Sequence, residues 1–139
     1  ADNNVPIVIT SDSFTLDYAN GYAVYTNNVS VNRASRQLTS DNLFIYFNDA
    51  KSQSTKFKSI IATSNKNHTV RFTDNNIKAT SGIIKYEPAA DGNKITLEKN
   101  AIIEQNNKKL ISELLYYDLK KEIAYMPKIK NQRSKIILG

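Results

Sequence analysis

Apolar residues recur two apart through most of this chain: Ile7 and Ile9, Phe14 and Leu16, Ala23 and Tyr25, Val29 and Val31, Leu43, Ile45 and Phe47, Val70 and Phe72. Successive side chains of a pleated strand point to opposite faces, so this spacing puts each set on a single face. Two stacked sheets of such strands bury one face of each toward a common interior. The punctuation agrees. Asn20-Gly21 and Asp91-Gly92 read as two-residue hairpin turns, and Asp74-Asn75-Asn76 supplies residues that tolerate a left-handed backbone. With only 4 glycines in the chain, asparagine takes over much of glycine's usual part.

The pattern repeats along the chain. A displacement of 72 positions lays Asn20 to Phe47 over Gly92 to Leu119 without a gap. Ala23 then coincides with Ile95, Tyr25 with Leu97, Val29 with Ala101, Val31 with Ile103, Leu38 with Leu110, Leu43 with Leu115, Ile45 with Tyr117 and Phe47 with Leu119. Asn28, Ser40 and Asp41 meet Asn100, Ser112 and Glu113. A displacement of 70 pairs Ser11, Phe14, Leu16 and Asp17 with Ser81, Ile84, Tyr86 and Glu87. The expectation is one domain over residues 1–139 with an internal duplication of about 9–47 and 79–119.

Residues 108–126 resist this reading, because they are good helix formers and Leu110, Leu114, Leu115, Leu119 and Ile123 also fit a helical stripe. The repeat decides for strand, since the counterpart at 38–47 is aromatic and β-branched. The polar stretches Asn48 to Lys58 and Ser64 to Asn67 read as surface loops.

At 139 residues, 40% of them hydrophobic, the chain is long enough to bury a core. It has no run that could cross a membrane as a helix. The first residues, Ala1 to Asn4, are compatible with a mature exported chain. The absence of cysteine excludes disulfides, thiolate metal sites and thiol nucleophiles. The formal charge of +6 favours an anionic partner, although the basic residues are scattered and also suit an ordinary solvated surface.

Candidates for chemistry are few. His68 is the single histidine, so no histidine cluster can hold a metal, and beside a turn it reads as a surface side chain. Asp12 and Asp41 could be the paired carboxylates of a glycosidase, but a Ser-Asp at a strand start more often bonds nearby backbone amides. The eight tyrosines and five phenylalanines fall mostly on the alternating apolar positions, which argues for core over base-stacking. No catalytic residue, cofactor or metal is expected.

The stretch from Pro6 to Phe47 resembles the opening of the LptA (OstA) family, which carries lipopolysaccharide between the two membranes of Gram-negative bacteria. Ile7 to Asp12 matches the family's first strand, Asn27-Asn28-Val29 its Gly-Asn-Val, and Ser40-Asp41 its Ala-Asp. Asn100-Ala101 resembles the second Gly-Asn-Ala, and Arg133 to Leu138 the closing strand. Two family glycines are replaced, by Asn27 and Lys99. The sister domains of LptC and the N-terminal part of LptD share the architecture; free-standing length and the lack of an anchor favour LptA itself.

The resemblance implies an all-β, partly open jelly roll, taco-like, of many short antiparallel strands in two facing sheets, located in the periplasm. It implies lipid A acyl chains lying between the sheets, head-to-tail homo-oligomers, and joining to LptC-like and LptD-like domains at the inner and outer membranes. The inward rows make Ile7, Ile9, Phe14, Leu16, Tyr25, Val31, Leu43, Ile45, Phe72, Ile84, Tyr86, Leu97, Ile103 and Tyr117 the expected lining. The alternation alone suits a solid core as well as a greasy slot; the resemblance chooses the slot. An LptC-like domain, a glycan-binding or glycan-cleaving sandwich and a nucleic-acid module are the alternatives, with no nucleic acid expected.

Overall fold

The computed structural model describes residues 5–47, 57–89 and 92–139. Among these it contains strands and turns and no helix, and all pairings are antiparallel. The strands are β1 (Val8–Thr10), β2 (Ser13–Asp17), β3 (Tyr22–Arg33), β4 (Arg36–Phe47), β5 (Phe57–Thr63), β6 (Val70–Thr73), β7 (Lys78–Ser81), β8 (Ile83–Ala89), β9 (Gly92–Gln105), β10 (Lys108–Asp118), β11 (Ile123–Tyr125) and β12 (Lys135–Leu138). The segment with helical propensity is β10 and β11, so packing of its alternating face overrides local preference.

One hydrogen-bonded network joins all twelve strands, and it makes two layers because the four long strands serve both. The first layer runs β2, the start of β3, the end of β4, β5, β8, the start of β9, the end of β10 and β11. The second runs β1, the end of β3, the start of β4, β6, β7, the end of β9, the start of β10 and β12.

The crossing points are encoded locally. In β3 the register breaks between Thr26 and Val29, where Asn27 and Asn28 have φ of 64° and 53°. In β9 Lys99 and Asn100 do the same at 69° and 55°. Two consecutive left-handed residues make a bulge that turns the strand from one layer into the other. The glycine replacements at Asn27 and Lys99 therefore keep the left-handed geometry and bear its strain. Serines mark the bends: the hydroxyls of Ser11, Ser40 and Ser81 each donate to the carbonyl two residues on, at 2.8–2.9 Å.

Pairing follows the sequence offsets. Phe14 faces Tyr25 as Ile84 faces Leu97, Ile9 faces Val31 as Ala79 faces Ile103, and Leu38 faces Phe72 as Leu110 faces Ile136. Strands β1–β6 and β7–β12 thus obey one pairing plan, and β5·β8 with β6·β7 stitches the two sets together.

Two local expectations are corrected. The loop expected to run to Lys58 ends earlier, because Phe57 and Lys58 open β5; its residues 48–56 lie outside the described residues. Asn20-Gly21 closes a four-residue connection instead of a two-residue turn: the Gly21 amide (φ 71°) donates to the Asp17 carbonyl and the Asp17 carboxylate accepts from Asn20. Asp91 and Ala1 to Asn4 also lie outside the described residues.

Candidate functional site: an apolar slot between the layers

Both layers turn alternate side chains inward, and the buried core draws on β3 to β10 together with Ile77 and Leu119 between strands. The filling is uneven. On the side of the second strand set, Ile103, Leu115 and Tyr117 are almost wholly buried, and Tyr117's hydroxyl has its pKa raised by burial, with Glu122 and Asp74 adding to the effect. On the side of the first set the layers leave a cavity of about 80 Å³.

The first layer contributes Leu43, Phe57, Ile60, Ile84, Tyr86 and Ile95 to this cavity, and the second contributes Val31, Leu38 and Phe72, with Ile7 just ahead of β1. It reaches the surface at the β3–β4 hairpin, where Arg33, Arg36 and Gln37 line it. Burial raises the pKa of Tyr86, with Arg36 and Arg33 pulling the other way. The slot is greasy inside and positively charged at its mouth.

Of the expected lining residues, Ile7, Val31, Leu43, Phe72, Ile84 and Tyr86 come together here. Ile45, Leu97, Ile103 and Tyr117 sit in the packed core, and Ile9 and Tyr25 lean against it half-buried. Phe14 and Leu16 lie on the edge strand β2, 52% and 37% exposed, with the Phe14 and Tyr25 rings 4.7 Å apart between centroids and tilted by 38°. Residues absent from the expected lining are Leu38, Phe57, Ile60, Ile95 and the polar mouth. Leu38, Ile95 and Ile60 carried the apolar signal, whereas Phe57 was hidden at the end of a lysine- and serine-rich stretch.

Of the carboxylates that could have been catalytic, Asp41 holds a turn and Asp12 contacts the β3 bulge. Asp41 Oδ2 accepts from the Asn65 amide at 2.6 Å and lies 3.0 Å from His68 Nδ1, which lowers the Asp41 pKa, the amide contributing most. Asp12 accepts from the Asn28 side chain at 3.0 Å. Neither lines the slot. Among the described residues no group of three or more His, Cys, Asp or Glu could hold a metal.

Edges remain on both sides. Strands β1 and β2 end one flank, β11 and β12 the other, and Val8, Ile123, Tyr125, Ile136 and Leu138 are more than half exposed there.

Comparison with known proteins places this geometry. The crystal structure of LptH from Pseudomonas aeruginosa, described as the LptA-homologous periplasmic component of the lipopolysaccharide transport device, superposes with a TM-score of 0.80. The similarity covers 99% of this chain and 98% of that one at 20% identity, a likeness of fold. A search of curated proteins finds no match. The model of the family described as LptA/(LptD N-terminal domain) LPS transport protein matches residues 8–123. A match over most of the chain, on strands that bend through two layers around an apolar slot, means that this protein belongs to the LptA/LptD N-terminal domain family of lipopolysaccharide transport proteins.

Proposed function

We propose that this protein is a periplasmic lipopolysaccharide carrier that holds lipid A acyl chains between its layers and passes them from the inner to the outer membrane. The observation that carries this reading is the slot lined by Val31, Leu38, Phe57, Phe72 and Ile84 in a chain of a lipopolysaccharide transport family. Each methylene withdrawn from water is worth about 0.8 kcal/mol, so an acyl chain crossing an aqueous space needs an apolar sleeve throughout. Transfer between like sleeves is nearly thermoneutral, and direction comes from an energy source outside the chain. Binding alone does this work, without a catalytic group.

The slot as it stands has room for only a few water-sized groups, so loading a long chain parts the layers. Two sheets joined side to side but free at both flanks can open in this way.

The free flanks also supply the partners: head-to-tail copies of this chain, with LptC-like and LptD-like domains of the same architecture at the two membranes. The internal seam is the template. If β12 meets the next copy's β1 as β6 meets β7, Phe72↔Ala79 maps onto Ile136↔Ile9 and Arg71↔Thr80 onto Lys135↔Thr10. Strand addition at an open edge satisfies amides that otherwise face water, and because the two flanks differ, the assembly grows linearly.

A photocrosslinker at Leu38 is expected to label lipopolysaccharide, and one at the exposed Lys66 is not; labelling confined to Lys66 would refute the carrier reading. In this cysteine-free chain, Ile9→Cys combined with Ile136→Cys is expected to give a ladder of disulfide-linked oligomers. Monomer alone after oxidation would refute the head-to-tail register.

A further inference from the structure

The mouth of the slot carries an arrangement that the apolar lining does not require. Arg33 and Arg36 face each other directly across the β3–β4 hairpin, closed by Ala34 in a left-handed conformation (φ 52°). Like charges at directly opposed positions of a strand pair repel. Both side chains line the same cavity as Leu38, Phe57 and Phe72, and both act electrostatically on Tyr86 within it. Arg33 Nε donates to the Val5 carbonyl at 3.1 Å, which ties down the segment leading to Ile7. Among the described residues no carboxylate forms an ion pair with Arg36.

The other strand set shows that this is not a demand of the fold. Its matching hairpin pairs Gln105 with Lys108, and those residues border a polar depression with Asp74, Asn76 and Glu104 in place of an apolar slot. Two arginines and a greasy cavity occur together, in the first set.

We propose that Arg36, with Arg33 beside it, binds a phosphomonoester on the headgroup of the lipid whose acyl chains occupy the slot. This rests on the carrier reading and adds a selectivity to it: the ligand must carry both apolar chains and a phosphate. A guanidinium presents a planar fork that matches phosphate oxygens two at a time, and the desolvated rim of an apolar cavity strengthens that contact. The bound dianion also relieves the repulsion across the hairpin. The simpler role for these arginines is to cover the cavity with their aliphatic stems while the charged ends reach water. That role predicts no preference for phosphate.

The test measures binding of the full chain to two lipids, bis-phosphorylated lipid A and the same lipid with its phosphates removed, by native mass spectrometry in mild detergent. Wild type is expected to favour the phosphorylated lipid by about tenfold or more, the scale of a charge-assisted hydrogen bond. In Arg36→Gln and in the double variant Arg33→Gln/Arg36→Gln that preference falls to near unity while the dephosphorylated lipid binds as before; Lys108→Gln keeps the preference. Thermal melts establish that each variant is folded.

Equal wild-type affinity for both lipids overturns the proposal and leaves the carrier reading standing. So does a loss of both lipids alike in a folded Arg36→Gln, which would assign the arginine to covering the slot. Binding of inorganic phosphate alone, abolished in the double variant, would assign the pair to free phosphate and overturn the lipid assignment. Failure of wild type to bind either lipid removes both readings together.

Discussion

Strands β1–β6 and β7–β12 are two answers to one pairing plan. Leu43 and Leu115 occupy equivalent positions and both are fully buried, yet Leu43 borders the slot and Leu115 is surrounded by core. At the next inward position Ile45 is matched by Tyr117, whose larger side chain reaches toward Asp74 and Glu122. Matched inward positions thus carry side chains of different volume, and they fill the space between the layers to different degrees. The difference teaches that ladder register sets which residues point inward, while side-chain volume sets whether the interior is a core or a receptacle.

The matched leucines give the largest effect. Leu115→Ala is expected to cost about 4 kcal/mol, near the upper part of the range for buried leucine, because its neighbours are packed on every side. Leu43→Ala is expected to cost about 3 kcal/mol, since one side of that leucine already faces a void. Urea unfolding of both variants decides: equal losses would show that the slot is closed in solution and the contrast absent.

A smaller effect separates the two bends. In the second set the Gly82 amide donates to the Lys99 carbonyl, and a Cβ on Gly82 would lie 2.9 Å from the Lys99 Cβ. Gly82→Ala is therefore expected to destabilise by about 1–3 kcal/mol. The equivalent Asp12 makes the same backbone bond, to Asn27, with a side chain in place, so Asp12→Ala loses only its contact to Asn28. Thermal unfolding in which Asp12→Ala costs as much as Gly82→Ala would break this distinction.

The left-handed residues at those bends come next. Lys99 adopts φ of 69° without the side-chain amide that makes such a conformation tolerable for asparagine. Lys99→Gly is expected to stabilise by about 0.5 to 1 kcal/mol, after the entropy cost of glycine is counted. Asn27→Gly gains less, because asparagine already visits that region. A loss of stability in Lys99→Gly would mean that the lysine side chain holds the bend by some contact of its own.

The same contrast explains what was legible in the amino acids. Period-two rows marked many of the strands, and the offset of 72 favoured strand for β10, where local preference pointed to helix; which strands pair was not read from the amino acids. The slot was harder to read. Val31 and Leu97 look alike in a pattern of inward residues, but one borders a void and the other is packed solid, which depends on volumes contributed by β5, β8 and β9 at once. Phe14 and Leu16 were indistinguishable from core by spacing; they are exposed because β2 is a flank with no strand beyond it among the described residues. Arg33 and Arg36 carried no apolar signal, although their opposition across a two-residue turn could have been found by counting back from it.

The smallest effect belongs to Asp41 and its counterpart Glu113. Asp41 ties the end of one layer crossing to the Asn65 turn through the amide bond and its contact with His68, while Glu113 is exposed and makes no such bond among the described residues. The folded-state pKa of Asp41 lies below the ordinary value of 3.8, because the Asn65 amide favours the ionised form strongly enough to outweigh the opposing effect of burial, and His68 adds to it. A carboxylate with a depressed folded pKa contributes stability that is complete above its unfolded pKa and is lost as pH falls through the folded one. Asp41→Asn is therefore expected to lower stability by about 1 kcal/mol or less at pH 7, the scale of one net hydrogen bond. The gap to wild type closes as the pH drops below about 4. At the exposed position, Glu113→Gln leaves the unfolding midpoint at pH 7 unchanged. Urea titrations at pH 7, 5 and 3 measure this directly, and a gap for Asp41→Asn that persists at pH 3 would mean that the Asn65 turn is held by packing instead of by the charge on Asp41.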